Sequence, residues 1–144
     1  MGQQQLLLLV LAIVIVAIAV VAGIVAFKER SRVAQRDEAV AEAMQIVTAA
    51  QVWRSKPAAM GGAIGSVAND FSGVNLKAIG FPVKSADTSE SLINLHGCYK
   101  LAPISEGAEV NVYLNSVDGD CDAASHIARI RITGTTSHDI TWTH

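Results

Sequence analysis

From Leu6 to Phe27 the chain runs for 22 residues without a charge or a side-chain hydrogen-bonding group, and only Gly23 breaks the succession of apolar side chains. As a helix rising ~1.5 Å per residue, such a run crosses a hydrocarbon layer of about 30 Å. The chain's 51% hydrophobic content and mean hydropathy of +0.36 look high for a soluble protein because so much of the excess is concentrated here. A cleaved signal peptide needs a basic leader and an apolar stretch of roughly 7 to 15 residues, and this segment has neither. Met1-Gly2 matches the start of a myristoylation pattern, but Leu6 stands where that pattern requires Ser or Thr. The reading that remains is a hydrophobic helix retained in the mature chain.

The helical signal continues past Phe27. Residues 28–54 contain no Gly or Pro and are rich in Ala, Glu, Gln and Arg, all compatible with a helix interior. Val33, Val40 and Val47 recur every seven residues, with Ala43, Met44 and Ala50 beside them, while Arg32, Arg36, Glu38, Glu42 and Gln45 lie largely off that stripe. Lys56-Pro57 disfavours helical geometry at residue 56, and Gly61, Gly62 and Gly65 follow, so the helix is expected to end near Arg54 or Ser55. One helix of about 50 residues results, against a globular average of about 12. Its first half is apolar throughout and its second half is amphipathic.

Beyond it, residues 56–94 carry Gly61, Gly62, Gly65, Gly73 and Gly80 and read as a connecting region, with at most a short helix around 63–71. Ser85 to Ser91 is polar and aperiodic, a surface loop. From Leu95 the period becomes two. Cys98–Pro103, Glu109–Leu114 and His126–Thr133 alternate, most clearly Val110, Val112 and Leu114 against Glu109, Asn111 and Tyr113, and Ala128, Ile130 and Ile132 against Arg129 and Arg131. Gly134 to Ser137 fits a hairpin loop before a last strand holding Ile140 and Trp142. The expected fold is α+β, with an antiparallel sheet of about four strands covered on one face by the amphipathic half of the helix through Val40, Met44, Val47 and Trp53. The chain divides into a transmembrane or filament-core helix (1–27), its amphipathic continuation (28–55), the connecting region (56–94) and the sheet of the head (95–144).

The remaining chemistry is sparse. A net charge of −2 and a pI near 6.0 lack the basic excess of a nucleic-acid-binding domain, so no nucleic acid is expected. Cys98 and Cys121 form no C-x-x-C pair and complete no metal set with the four scattered histidines. In an exported domain they are most simply a disulfide; in a cytosolic one they would be two buried thiols. Asp118, Asp120 and Asp122 alternate as in the first half of a calcium loop, but Ala123 stands in the place of the turn glycine and Arg129 in that of the closing glutamate. An acidic surface turn is the plainer reading. His96, His126, His138 and His144 stand in no recognisable order with a carboxylate or nucleophile, so neither catalysis nor a cofactor is expected. The aromatic residues, including Tyr99, Tyr113, Trp53 and Trp142, make up only 5% of the chain and read as core and sheet anchors.

A hydrophobic N-terminal helix continuing into an amphipathic half, then a Gly-rich connection, an antiparallel sheet and a late cysteine pair resembles the type IV pilins and their relatives in type II secretion, over essentially the whole chain. The resemblance implies a structural subunit of an extracellular filament. It implies a homopolymer held through the apolar helix, a pool anchored in inner-membrane lipid before assembly, and service by a pilus assembly machinery. Where the family carries a glutamate at the fifth mature residue, which neutralises the N-terminal amine of a neighbour, this chain has Gln5; near the place of a frequent helix proline it has Gly23. Either Met1 is the mature end, or cleavage follows Gly2.

Packing between such helices in lipid favours small residues, and Ala19 with Gly23 and Ala22 with Ala26 supply two overlapping spacings of that kind. A minor pseudopilin of a secretion system, and a single-pass membrane-anchored periplasmic binding domain that does not polymerise, are the alternatives. Lys28, Arg30, Arg32 and Arg36, offset nearby by Glu29, would retain the C-terminal side in the cytoplasm unless a basic leader had been removed.

Overall fold

A computed structural model describes residues 2–63, 70–83, 90–117 and 120–143. The first element, α1 (Gly2–Ser55), is a single 54-residue helix, and no Gly or Pro interrupts it beyond Gly23. It ends where Pro57 removes an amide donor. A short 3-10 turn at Ala58–Met60 follows, closed by Gly61 in the left-handed conformation at φ 77°. Gly62 has its own reason: a Cβ there would collide with the Lys56 carbonyl. The expected short helix around 63–71 and the polar loop from Ser85 fall mostly on residues 64–69 and 84–89, outside those described.

The chain forms two compact units, Met1–Ala34 and Gln35–His144. In the second, the strands are β1 (Ser91–Ile93), β2 (Cys98–Ile104), β3 (Gly107–Tyr113), β4 (Ser116–Val117), β5 (Asp120–Cys121), β6 (His126–Ile132) and β7 (Ile140–Thr143). Five of them form one antiparallel sheet in the order β1-β2-β3-β6-β7, and β4 with β5 makes a separate two-stranded ribbon between β3 and β6 in sequence. The α+β class is as the alternation predicts. The fifth strand is β1, which lies in the segment read as connection: three residues are too few to show a period.

Register assigns the two faces. Tyr99 pairs with Val112, Leu101 with Val110, Val112 with Ala128, and Val110 with Ile130, and all of these are buried. Lys100, Asn111, Glu109, Arg129 and Arg131 occupy the opposite face. Gly107 enters β3 at φ 143°, with no room for a Cβ against the Ile132 carbonyl.

The helix meets the apolar face through Ala39, Ala43, Ile46, Val47, Ala50 and Trp53, joined from the connecting region by Phe71, Val74 and Leu76. This bears out Ala43, Val47 and Ala50 of the stripe and corrects the rest. Val33 is exposed, and Val40 and Met44 are half-buried and outside the core cluster, whereas Val47 and Trp53 are within it. The sheet presents large side chains, Tyr99, Ile130 and Ile132 among them, so the helix turns its alanines toward them. Interior packing density leaves no space for two bulky rows. Trp142, expected as an anchor, is 42% exposed because β7 is the edge strand.

Candidate functional site

Every residue from Gly2 to Glu38 is exposed. In the first unit the large apolar side chains between Leu6 and Phe27 are 48% to 75% exposed, and an 18-residue window of α1 reaches a mean hydropathy of 3.4 with none of it buried. Sixteen such side chains at about 2 kcal/mol each amount to on the order of 30 kcal/mol of unrealised transfer free energy, against a whole-domain stability of about 5–15 kcal/mol. Water is therefore the wrong solvent for this segment. It is long and apolar enough to cross a membrane. Ala19, Ala22, Gly23 and Ala26 share one face of it by helical spacing, and a Cβ at Gly23 would meet nothing within 4 Å. Gln5 lies in the first turns of the same helix, also exposed.

The second unit contains a polar latch that its sequence does not advertise. At the β1–β2 turn, the Asn94 side-chain oxygen accepts from the amides of His96 (3.0 Å) and Gly97 (3.1 Å). This fixes the loop so that its side chains face α1. His96 Nδ1 lies 3.0 Å from Glu38 Oε2, the Asn94 amide group donates to Glu42 Oε1, and the Tyr99 hydroxyl donates to Glu42 Oε2 at 3.1 Å. Tyr99 is fully buried. Burial first, then the Glu42 charge and the hydrogen bond to it, push its phenol well above the usual tyrosine range. The histidine–carboxylate pair joins residues 58 positions apart. No local spacing could have signalled it.

At the far end of the helix, Gln51 Nε2 donates to the carbonyls of Gly134 and Thr136, each at 3.1 Å, holding the β6–β7 loop. Within that loop Asp139 accepts from the Thr136 hydroxyl (2.6 Å) and amide (2.9 Å), which hold its carboxyl below the usual carboxylate range.

Cys98 and Cys121 are bonded, with sulfurs 2.02 Å apart, so the β4–β5 ribbon is pinned to β2. Lys100 Nζ to Asp120 Oδ1 at 2.8 Å adds a second tie. The two described members of the alternating aspartate trio have other employment: Asp120 faces Lys100, and Asp122 accepts from the Ala124 amide at 3.0 Å. Asp118 lies outside the described residues. Among the described residues no three His, Cys, Asp or Glu side chains converge as a metal set. His126 stacks edge-on against Tyr113 with ring centroids 5.2 Å apart.

Comparison with protein-family models, with curated proteins and with solved structures finds no match to this chain. One long apolar N-terminal helix with an antiparallel sheet is compatible with a pilin-like fold.

Proposed function

We propose that this chain is the structural subunit of an extracellular type IV pilus-like filament, polymerising through the first half of α1. The observation that carries the reading is the wholly exposed, uncharged run from Leu6 to Phe27, on a helix that continues without a break into a folded head. Such a helix is satisfied in lipid, so leaving lipid requires an equally dry destination. A bundle of identical helices is one. Close approach in that bundle would come through the Ala19, Ala22, Gly23 and Ala26 face, and a head-to-tail contact that does not close on itself propagates as a helical filament. The disulfide supports an oxidising, exported location for the head.

A membrane-anchored head that never polymerises is favoured by one feature. Gln5 carries no charge, so it supplies no ion pair to draw a subunit out of lipid. Electron microscopy of fibres sheared from the cell surface, with mass spectrometry of their subunit, separates the two. Fibres built of this chain are expected. Recovery only from the membrane fraction, with fibres absent or made of another protein, would overturn the filament reading and leave the anchored domain.

A further inference from the structure

Within the first unit, α1 carries two unlike faces. Val14, Ile18, Val21, Val25, Lys28 and Arg32 follow one another at alternating steps of four and three residues, so they form one row along the helix. Ala19, Gly23, Ala26 and Arg30 follow the same steps on the opposite side. The four apolar members of the first row are exposed, and so are Lys28, Arg30 and Arg32. No carboxylate of the chain forms an ion pair with Lys28 or Arg32 among the described residues. Glu29 stands on the flank of the row, which leaves this side of the helix with one net positive charge where the apolar run ends.

We propose that Lys28 and Arg32 hold the phosphate of one anionic phospholipid, whose acyl chains lie along the bulky row that leads up to them. The depth fits. Lys28 and Arg32 stand about 1.5 Å and 7.5 Å of helical rise beyond Phe27, and the headgroup layer beside a hydrocarbon core of about 30 Å is roughly 5–7 Å thick. Side chains on a helix lean toward its N-terminus, so both cations reach back toward the apolar run and lay their stems on apolar surface. One turn apart, about 6 Å along the axis, they can donate to different oxygens of a single phosphate. Arg30 points the other way, in line with the small residues, and takes no part. The occupant is a lipid because the row that ends in the two cations is apolar at every earlier step, which suits acyl chains and leaves an acidic protein segment nothing polar to meet. The inference rests on the run from Leu6 to Phe27 lying in lipid, which the filament and the anchored readings share.

The test reconstitutes full-length chain into vesicles of equimolar phosphatidylcholine and phosphatidylglycerol, confirms that it floats with them, and counts the first lipid retained in mild detergent by native mass spectrometry. Phosphatidylglycerol is expected to exceed phosphatidylcholine by roughly fivefold, the scale of one net charge near an anionic surface. Lys28→Gln with Arg32→Gln is expected to remove that preference, and Arg30→Gln to keep it. Flotation without a preference would overturn the inference alone, whereas failure to float would overturn it together with the membrane reading. An equal loss in Arg30→Gln and in the double variant would also overturn it, leaving a diffuse charge effect and no site. So would displacement of the retained phosphatidylglycerol by inorganic phosphate at matched ionic strength, which would reduce the site to a phosphate contact without the acyl row. A preference that depends on Lys28 and Arg32 in a chain that builds no fibres would uphold the lipid site while sinking the filament reading.

Discussion

Removing the Cys98–Cys121 bond, by Cys98→Ala with Cys121→Ala, is expected to weaken the head by more than any single hydrogen bond described above. The bond spans a sequence separation of 23, for which the chain-entropy relation gives roughly 3.4 kcal/mol at 25 °C. What the loop encloses makes that figure apply here. It contains β2 and β3, two neighbouring strands of the sheet, and both strands of the ribbon, so the reduced unfolded chain gains freedom in a segment that must be ordered before the sheet can form. The ribbon has only two residue pairs of its own, and its Lys100–Asp120 tie is half in solvent, worth at most about 1 kcal/mol. It cannot replace the covalent link. For a unit of about 110 residues, an unfolding entropy near 2.1 cal/mol/K per residue converts the loss to a fall in Tm of about 15 °C. The assay is thermal unfolding of full-length chain in detergent, followed by near-ultraviolet circular dichroism, comparing oxidised, reduced and doubly substituted forms. A fall below about 4 °C in both altered forms would refute the reasoning, because the enclosed strands would then be ordered equally well without the link.

Two further outcomes follow from the packing and the latch. Ala43→Leu forces a large side chain into a fully buried helix–sheet contact and is expected to cost about 1–3 kcal/mol in urea unfolding, and Ile46→Ala at the same contact about 2–5 kcal/mol. Val33→Ala, at the exposed position that the seven-residue pattern favours, should stay within about 0.5 kcal/mol of zero. Tyr99 binds its proton more tightly folded than unfolded, so its contribution is complete below the ordinary tyrosine pKa of about 10 and is lost as pH rises beyond that value. The head should therefore lose thermal stability above about pH 10, and Tyr99→Phe should flatten that loss while costing about 1 kcal/mol at neutral pH. An alkaline profile identical in the two proteins would remove Tyr99 from the account.

The long helix was legible because its signals are local and strong. A charge-free run has few alternatives, and Lys56-Pro57 with the glycines behind it marks the stop. β2, β3 and β6 were legible for the same reason, each being seven residues long with one wet face and one dry one. The helix face toward the sheet was read in part: Ala43, Val47, Ala50 and Trp53 lie in the core, whereas Val33, Val40 and Met44 do not, for a physical reason. Valine outranks alanine in hydrophobicity, so a pattern search selects Val33 and Val40, yet contact is decided by what the opposite surface leaves room for. With Tyr99 and Ile130 filling the sheet side, Ala39 and Ala43 are the residues that fit. The latch was invisible for a different reason. Glu38, Glu42, Asn94, His96 and Tyr99 come from two stretches that only the folded chain brings together, and neither stretch alone has a spacing that demands a partner.

The core of the head begins at Ala39, and among the described residues none before it belongs to the buried cluster. This division bears on the proposed filament function, in which one chain would serve two environments. If the apolar half of α1 supplied part of the head's core, every transfer of that half between lipid and a bundle would disturb the head, and part of the transfer free energy would be spent on refolding. The core instead closes on Ala39, Ala43, Ile46, Val47, Ala50 and Trp53, with the latch from Glu38 and Glu42 fixing the start of that contact and Gln51 fixing its end. Lipid and a bundle of like helices offer the first half of α1 nearly equal hydrophobic shelter. Under the proposed filament function the choice between them would fall to small terms, close packing at Ala19 and Gly23 among them, and small terms are the ones an assembly process could tip in either direction.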